Sequence, residues 1–404
     1  MSQATKTAAT QRAALNDITR GRSRRPTALL KPRFVRQGVI DVGGGGGPGG
    51  AVGGARPSPS SAAVVFDEVL FEAYDDDDGN GGGGGPSRPV PMWVARPTAK
   101  EPNSAPPPAA ILWLHGKGET RDAYLPTAAR LAARGCLFAV PDMPYHGGRR
   151  REDDEAATSD ADAFDAAVAR AIRRGGGSDT YNQNNPLLLD WAWDGLCALD
   201  ALQELYGGGA QHQQQNVVLA GTSMGGSAAL LLAAALSGGG DKGPNKIAAC
   251  VPLIALQYWR WGFENGDAWK GRADSLGPAA LEAAVEVAMA AEQPNPSPRE
   301  AWRRALSRLI PGILTNYDAP RVLYTLCLSG IPLLACNSAS DPRCPLGGVE
   351  AAWREVEAEE EVAATRTRHE LFVDDSARGH ELTPAMMARV EAWLEEEGLL
   401  GKGG

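Results

Sequence analysis

Gly221-Thr222-Ser223-Met224-Gly225 sets a serine between two glycines. The apolar run Val217-Val218-Leu219-Ala220 leads into it, and an Ala/Leu-rich helix follows at once. A strand that turns this sharply into a helix needs small residues around the turn. The central hydroxyl is thereby lifted clear of the sheet, at a helix N-terminus. That is the setting of a nucleophile, and the spacing assigns the role to Ser223. A serine hydroxyl is inert at neutral pH until a base takes its proton.

The chain has five histidines. His115, His146 and His212 precede Ser223, and only His369 and His380 follow it. Sites in open α/β sheets form at the carboxyl ends of the strands. His369 opens its strand and so faces the wrong end. His380 follows Val373-Asp374-Asp375, within Arg378-Gly379-His380-Glu381, at the correct end. His380 is therefore the expected base. A carboxylate must fix its tautomer and stabilise the imidazolium. Asp341 follows the strand Ile331–Cys336 through Asn337-Ser338-Ala339-Ser340, with Pro342 and Pro345 stiffening what comes after. Asp374 and Asp375, closer to His380 in sequence, compete for the role. An oxyanion would need backbone N–H donors. One expected donor is Met224, just after the serine. The other is Lys117 in the turn His115-Gly116-Lys117-Gly118, with Gly116 or Gly118 as alternatives. His115 reads as a turn residue bonded to backbone rather than as a proton carrier.

These residues need elements to hold them. Ile111-Leu112-Trp113-Leu114 is a continuous apolar run, the signature of a strand buried on both faces. A helix over 123–134, the strand Cys136–Val140 and a polar excursion with an amphipathic helix over 160–174 follow. Pro186 opens the next helix, which carries Leu188, Trp191, Gly195, Ala198, Leu202 and Leu205 on one face. Further strands are expected at 247–256, 331–336 and 370–373. Strands alternating with helices imply a mostly parallel sheet covered on both faces. The helical, aromatic-rich stretch 257–328 interrupts the alternation and reads as a cap. Its Trp259, Trp261 and Trp269 are candidates either for a substrate pocket or for the cap's own core.

The composition bounds the rest. At 43% hydrophobic residues the 404-residue chain can build a full core. Its 49 glycines and 29 prolines are clumped, which marks linkers. Residues 1–60 lack a sustained hydrophobic period and end in a Gly/Pro/Ser tract, so they read as a disordered basic arm or a transit peptide. Asp75–Asp78 and Gly81–Gly85 read as a solvated hairpin insertion. Nine basic residues stand against Asp17 alone through Arg36. The remainder is thus more acidic than the net charge of −9 indicates, and an acidic body repels nucleic acid. The six scattered cysteines form no CxxC pair, which argues for reduced thiols rather than a zinc site or disulfide framework. No apolar run is long enough for an integral membrane segment. The expected setting is intracellular, cytoplasm or plastid.

The HGKG turn, the GTSMGG turn, the Asp341 loop and the Arg378–Glu381 loop, in that order, resemble the α/β-hydrolase superfamily over about 62–400. Pro141-Asp142-Met143-Pro144-Tyr145-His146-Gly147-Gly148-Arg149 looks like a loop of a narrower branch. That branch holds small bacterial carboxylesterases and plant hydrolases related to dienelactone hydrolases and prolyl oligopeptidase catalytic domains. The stretch Gln257–Trp261, with Trp269, and Asp341-Pro342-Arg343-Cys344-Pro345 also resemble the plant members. Serine rather than cysteine at 223 argues against dienelactone chemistry, and the absence of a propeller argues against a prolyl oligopeptidase. The resemblance implies an α/β-hydrolase domain over 61–256 and 329–404 with a cap at 257–328. It implies a serine esterase that uses Ser223, Asp341 and His380 on a small-molecule ester, with no metal or organic cofactor. An aminopeptidase-type amidase and a non-catalytic ligand binder on the same fold are the rivals.

Overall fold

The computed structural model describes residues 32–41, 63–73, 88–98, 109–150, 157–174, 188–206, 215–237, 245–291, 296–309, 317–365 and 367–401. The strands are β1 (Arg33–Asp41), β2 (Ala63–Ala73), β3 (Arg88–Pro97), β4 (Ala110–Leu114), β5 (Leu137–Pro141), β6 (Gln215–Thr222), β7 (Asn245–Leu253), β8 (Leu333–Ser338) and β9 (His369–Asp374). They form one sheet in the order β1-β2-β3-β5-β4-β6-β7-β8-β9. The first three and β5 pair antiparallel, and β4 through β9 are parallel to one another. The parallel half needs crossovers, and helices supply them on both faces.

The helices are α1 (Leu125–Ala133), α2 (Asp160–Arg174), α3 (Leu188–Tyr206), α4 (Met224–Leu236), α5 (Trp259–Glu264), α6 (Ala268–Ser275), α7 (Pro278–Ala290), α8 (Pro298–Leu309), α9 (Ala319–Leu328), α10 (Leu346–Glu357), α11 (Glu360–Ala363) and α12 (Pro384–Glu396). Strand β4 shows why its sequence is apolar throughout. Ala110, Leu112 and Leu114 face a core shared with α2, α3 and α4, while Ile111 and Trp113 face a second core shared with α1 and α12. Successive side chains point to opposite faces, so a strand covered on both sides has no polar positions. Helix α3 is buried on nearly its whole circumference, not on the single face that its spacing suggests. Helices α5 to α9 run between β7 and β8. Their buried residues, among them Trp259, Trp269, Ala284 and Trp302, are continuous with the core of the α3 face.

The arm expected over 1–60 is interrupted by β1. This strand pairs antiparallel along β2 and anchors there through Gln37 Nε2, which donates to Asp67 Oδ1 at 2.8 Å, and the Arg36–Glu68 ion pair at 3.4 Å. Its outward Phe34, Val35 and Val39 gave no clean alternation beside low-complexity neighbours, so the partner strand, not local pattern, makes it a strand. The Asp75–Asp78 and Gly81–Gly85 insertion, the rest of the arm, Pro186 and His212 lie outside the described residues. Among the described residues no helix is long and apolar enough to cross a membrane.

Candidate active site

Ser223 joins β6 to α4 with φ 54° and ψ −119°. A non-glycine residue at positive φ is costly and is held only where the surroundings demand it. Here the demand is close packing. A Cβ on Gly225 would stand 2.1 Å from the Leu114 carbonyl oxygen, and one on Gly221 would stand 2.6 Å from the same atom. The Ser223 N–H donates to the Leu253 carbonyl at 2.8 Å, which pins the turn to the end of β7.

His380 and Asp341 meet this serine. His380 Nε2 lies 2.7 Å from Ser223 Oγ, and Nδ1 lies 2.7 Å from Asp341 Oδ2. The Nδ1–H tautomer satisfies both contacts: the ring donates to the carboxylate and accepts from the hydroxyl. Asp341 is buried, and its Oδ1 accepts the N–H groups of Arg343 at 2.8 Å and Cys344 at 3.0 Å. The acid loop is tied to the histidine loop by Ser340, whose hydroxyl donates to the Ala377 carbonyl at 2.8 Å and accepts the Gly379 N–H at 3.0 Å. Asp374 is turned to another task. Its carboxylate accepts from Ser376 N–H and Oγ and from Thr383 Oγ1, and these bonds hold its pKa below the usual range. Asp375 is exposed. His369 pairs with Leu333 where β8 and β9 begin, five residues before the Ser338–Asp374 pair at the other end.

The turn after β4 packs against the serine turn. Among its three N–H groups, two are taken. Gly116 N–H donates to Glu119 Oε2 at 2.7 Å, and Gly118 N–H donates to His146 Nε2 at 2.9 Å. The Lys117 N–H between them has no partner among the described residues. Met224 is the first residue of α4, where helix geometry leaves its N–H without an intrahelical acceptor. Glu119 Oε2 also accepts from Tyr124 OH at 2.6 Å, and Tyr124 OH lies 2.9 Å from Thr222 Oγ1. Burial and the Glu119 charge push the Tyr124 phenol far up, so it stays a donor. One carboxylate thus links the turn after β4 to the residue before Ser223.

Two buried imidazoles complete the frame. His115 Nε2 accepts the Met143 N–H at 2.9 Å, and its Nδ1–H donates to the Gly116 carbonyl at 2.8 Å. His146 uses Nε2 for Gly118 and donates Nδ1–H to the Pro144 carbonyl at 2.7 Å. Burial drives the His115 pKa down to about 3, with His146 adding to the effect. Burial likewise takes His146 down to about 4. Both are neutral acceptors, and His115 is a turn residue as its sequence setting implies. In the loop that holds His146, Asp142 accepts from Arg121 N–H and Gly148 N–H at 3.0 Å each, and Arg149 pairs with Asp194.

Helix α6 roofs the site. A Cβ on Gly271 would stand 1.9 Å from the Pro342 carbonyl oxygen, so α6 touches the acid loop. At its other end the Ser275 carbonyl accepts from Lys117 Nζ at 3.0 Å, and Lys117 also pairs with Asp165 at 2.5 Å. Trp259 and Trp269 are buried in the core, and Trp261 packs on Gly347 and Gly348 of α10. Asp341, Cys344 and His380 offer ligand atoms within 4.8 Å of one another, a spacing that could hold a metal ion. The donors are already engaged, however. Cys344 Sγ donates to the Ile254 carbonyl at 3.3 Å, and burial raises its thiol far above neutral. Sequence reasoning passed over Glu119, Tyr124, Ser340 and the acceptor role of His146. Their importance lies in partners 3 to 98 positions away, which no local pattern marks.

No protein-family model matches the chain, and no curated protein matches it. Solved structures do. Acetyl xylan esterase 1 from Thermoanaerobacterium sp. superposes with a TM-score of 0.51 at 14% identity, over 97% of this chain and 93% of that one. A methylesterase gives a TM-score of 0.51 at 14% identity, over 99% of this chain and 64% of its own. At such identity the likeness establishes the fold: this chain has the α/β-hydrolase fold, with a nine-stranded, mostly parallel sheet.

Proposed function

We propose that the protein is a serine hydrolase that cleaves carboxylic esters through an acyl-Ser223 intermediate. The observation that carries this reading is the unbroken hydrogen-bonded chain Asp341–His380–Ser223, with 2.7 Å at both links. In the proposed reaction Ser223 Oγ attacks the ester carbonyl while His380 Nε2 takes the hydroxyl proton. Asp341 stabilises the imidazolium so formed. The developing oxyanion lies against the Met224 and Lys117 N–H groups. Collapse of the tetrahedral species expels the alcohol, which receives the proton from His380. Water, activated by the same imidazole, then releases the acid and restores Ser223.

Two features support Lys117 over its neighbours as the second donor. The Glu119 carboxylate occupies the Gly116 N–H, and the His146 imidazole occupies the Gly118 N–H. Trp259 and Trp269 belong to the core on which α6 rests, and Trp261 packs on Gly347 and Gly348 of α10, so these aromatics support the roof of the site. The esterase fold neighbours agree with ester chemistry. The proposed substrate is a small-molecule ester, and the acyl-serine route calls on no cofactor.

The test is p-nitrophenyl acetate turnover together with fluorophosphonate labelling. The wild type is expected to hydrolyse the ester and to label at Ser223. Ser223→Ala should lose both while unfolding at a similar temperature, since the hydroxyl is not packed into the core. Full turnover by Ser223→Ala would refute the acyl-serine route.

A further inference from the structure

The roof of the site carries a buried cation with no hydrogen-bond partner among the described residues. Arg272, on α6, is 1% exposed. None of its three guanidinium nitrogens has a hydrogen-bond partner among the described residues. One side of the group lies over the Trp259 ring, 5.5 Å from its centroid. On another side Gly262 makes room for it, since a Cβ there would stand 3.1 Å from the guanidinium carbon. Burial lowers the pKa of Arg272 to about 10, so the group is still cationic at neutral pH.

Two carboxylates contribute to its field, Asp318 and Asp341. Neither bonds to it. Asp318 spends its oxygens on the N–H groups of Trp259, Arg260 and Ala319. Asp341 spends its own on Arg343, Cys344 and His380. A stacked aromatic ring compensates only part of a buried cation, and five N–H donors remain unmet. Buried charges are kept where they are paired, and a cation with no partner among the described residues is suited to receive one from a ligand. The planar fork of a guanidinium fits a carboxylate by two parallel hydrogen bonds.

Its place on the roof ties this group to the chemistry. Arg272 follows Gly271, which abuts Pro342 of the acid loop, and precedes by three residues Ser275, which holds Lys117 of the oxyanion turn. We propose that Arg272 receives a carboxylate carried by the ester, so that the enzyme selects anionic esters. The proposal rests on the reading that Ser223 is the nucleophile. The same cation disfavours a substrate ammonium, and so weighs against an aminopeptidase.

The experiment compares p-nitrophenyl acetate with the mono-p-nitrophenyl esters of succinate and glutarate, in the wild type and in Arg272→Met. Methionine keeps the apolar length of the side chain and removes the fork. The wild type should favour at least one charged ester in kcat/KM. The ratio of charged to neutral kcat/KM should fall ten- to hundredfold in Arg272→Met, the range expected for a charge-assisted hydrogen-bonded contact. Taking the ratio cancels any general loss of activity. Equal use of charged and neutral esters by the wild type would overturn the proposal and leave the esterase reading standing, and this arm needs no variant. An unchanged ratio in Arg272→Met would overturn it as well. If the wild type cleaves none of the esters, the esterase reading fails. Thermal melting of the wild type with sodium glutarate against glutaramide then decides the anion site. A rise with glutarate alone supports it, and equal melting overturns it.

Discussion

Acid should unfold this protein through its two buried imidazoles before it reaches most of its ion pairs. Well above pH 6.5 both His115 and His146 are neutral in the folded and in the unfolded chain, so neither contributes a pH dependence there. Below that, the unfolded chain takes up two protons that the folded chain refuses, because the folded values lie at about 3 and about 4. Stability is therefore lost as pH falls from 6.5 towards 4 and then 3. At pH 4.5, two units below the unfolded value, the loss is about 2.7 kcal/mol for His115, from 1.36 kcal/mol per unit, and slightly less for His146. Together that is about 5 kcal/mol, against a typical total stability of 5–15 kcal/mol. Desolvation is the leading cause at both rings. The charges around His146 partly cancel, Asp160 favouring protonation and Lys117 and Arg149 opposing it. The assay is urea unfolding at pH 7.5 and 4.5, for the wild type and His146→Gln. Glutamine can still accept the Gly118 N–H but does not titrate. The acid-induced loss should be smaller in His146→Gln by about 2.5 kcal/mol. Carboxylate contributions are common to both proteins and drop out of the comparison. An equal loss in the two would refute the argument that His146 is a neutral acceptor under pressure from burial.

Three further outcomes are expected. Glu119→Ala should lower kcat about ten- to a hundredfold on p-nitrophenyl acetate with KM little changed, because the turn bearing Lys117 loses its tether, while Glu119→Gln, which keeps an acceptor oxygen, should recover much of it. Asp341→Asn should cost about ten thousandfold in turnover by the serine-protease precedent, whereas Asp374→Asn should lower the melting temperature and spare turnover. Comparing kcat with thermal unfolding for both variants separates the two roles. Deleting residues 1–60 removes β1 as well as the flanking tracts, so it should lower the melting temperature by unpairing β2 and taking the Gln37 donor from buried Asp67. An unchanged melting temperature would show that β1 adds no stability.

The chain order of Ser223, Asp341 and His380 was legible because each sits at a strand's carboxyl end, and period and composition alone locate strands. The fold class was legible for the same reason: β4 can be apolar at five consecutive positions only if both faces are covered. The steric need for Gly221 and Gly225 was readable in kind from the turn pattern. The residue that they crowd, Leu114, lies on another strand and had to be seen. The chain order of the three residues already favours Asp341 over Asp374; what the tertiary structure adds is the hydrogen-bond partners of each carboxylate, which no local pattern gives. The partners of the N–H groups on either side of Lys117, β1 inside a low-complexity arm, and the isolation of Arg272 in a helix of ordinary sequence likewise emerge only in the folded chain. The sequence determines which residues can do chemistry and on which side of the sheet they emerge, because backbone periodicity is local. Which donors are already spent, and which charge is left without a partner, depends on contacts between distant segments, and only the folded chain decides them.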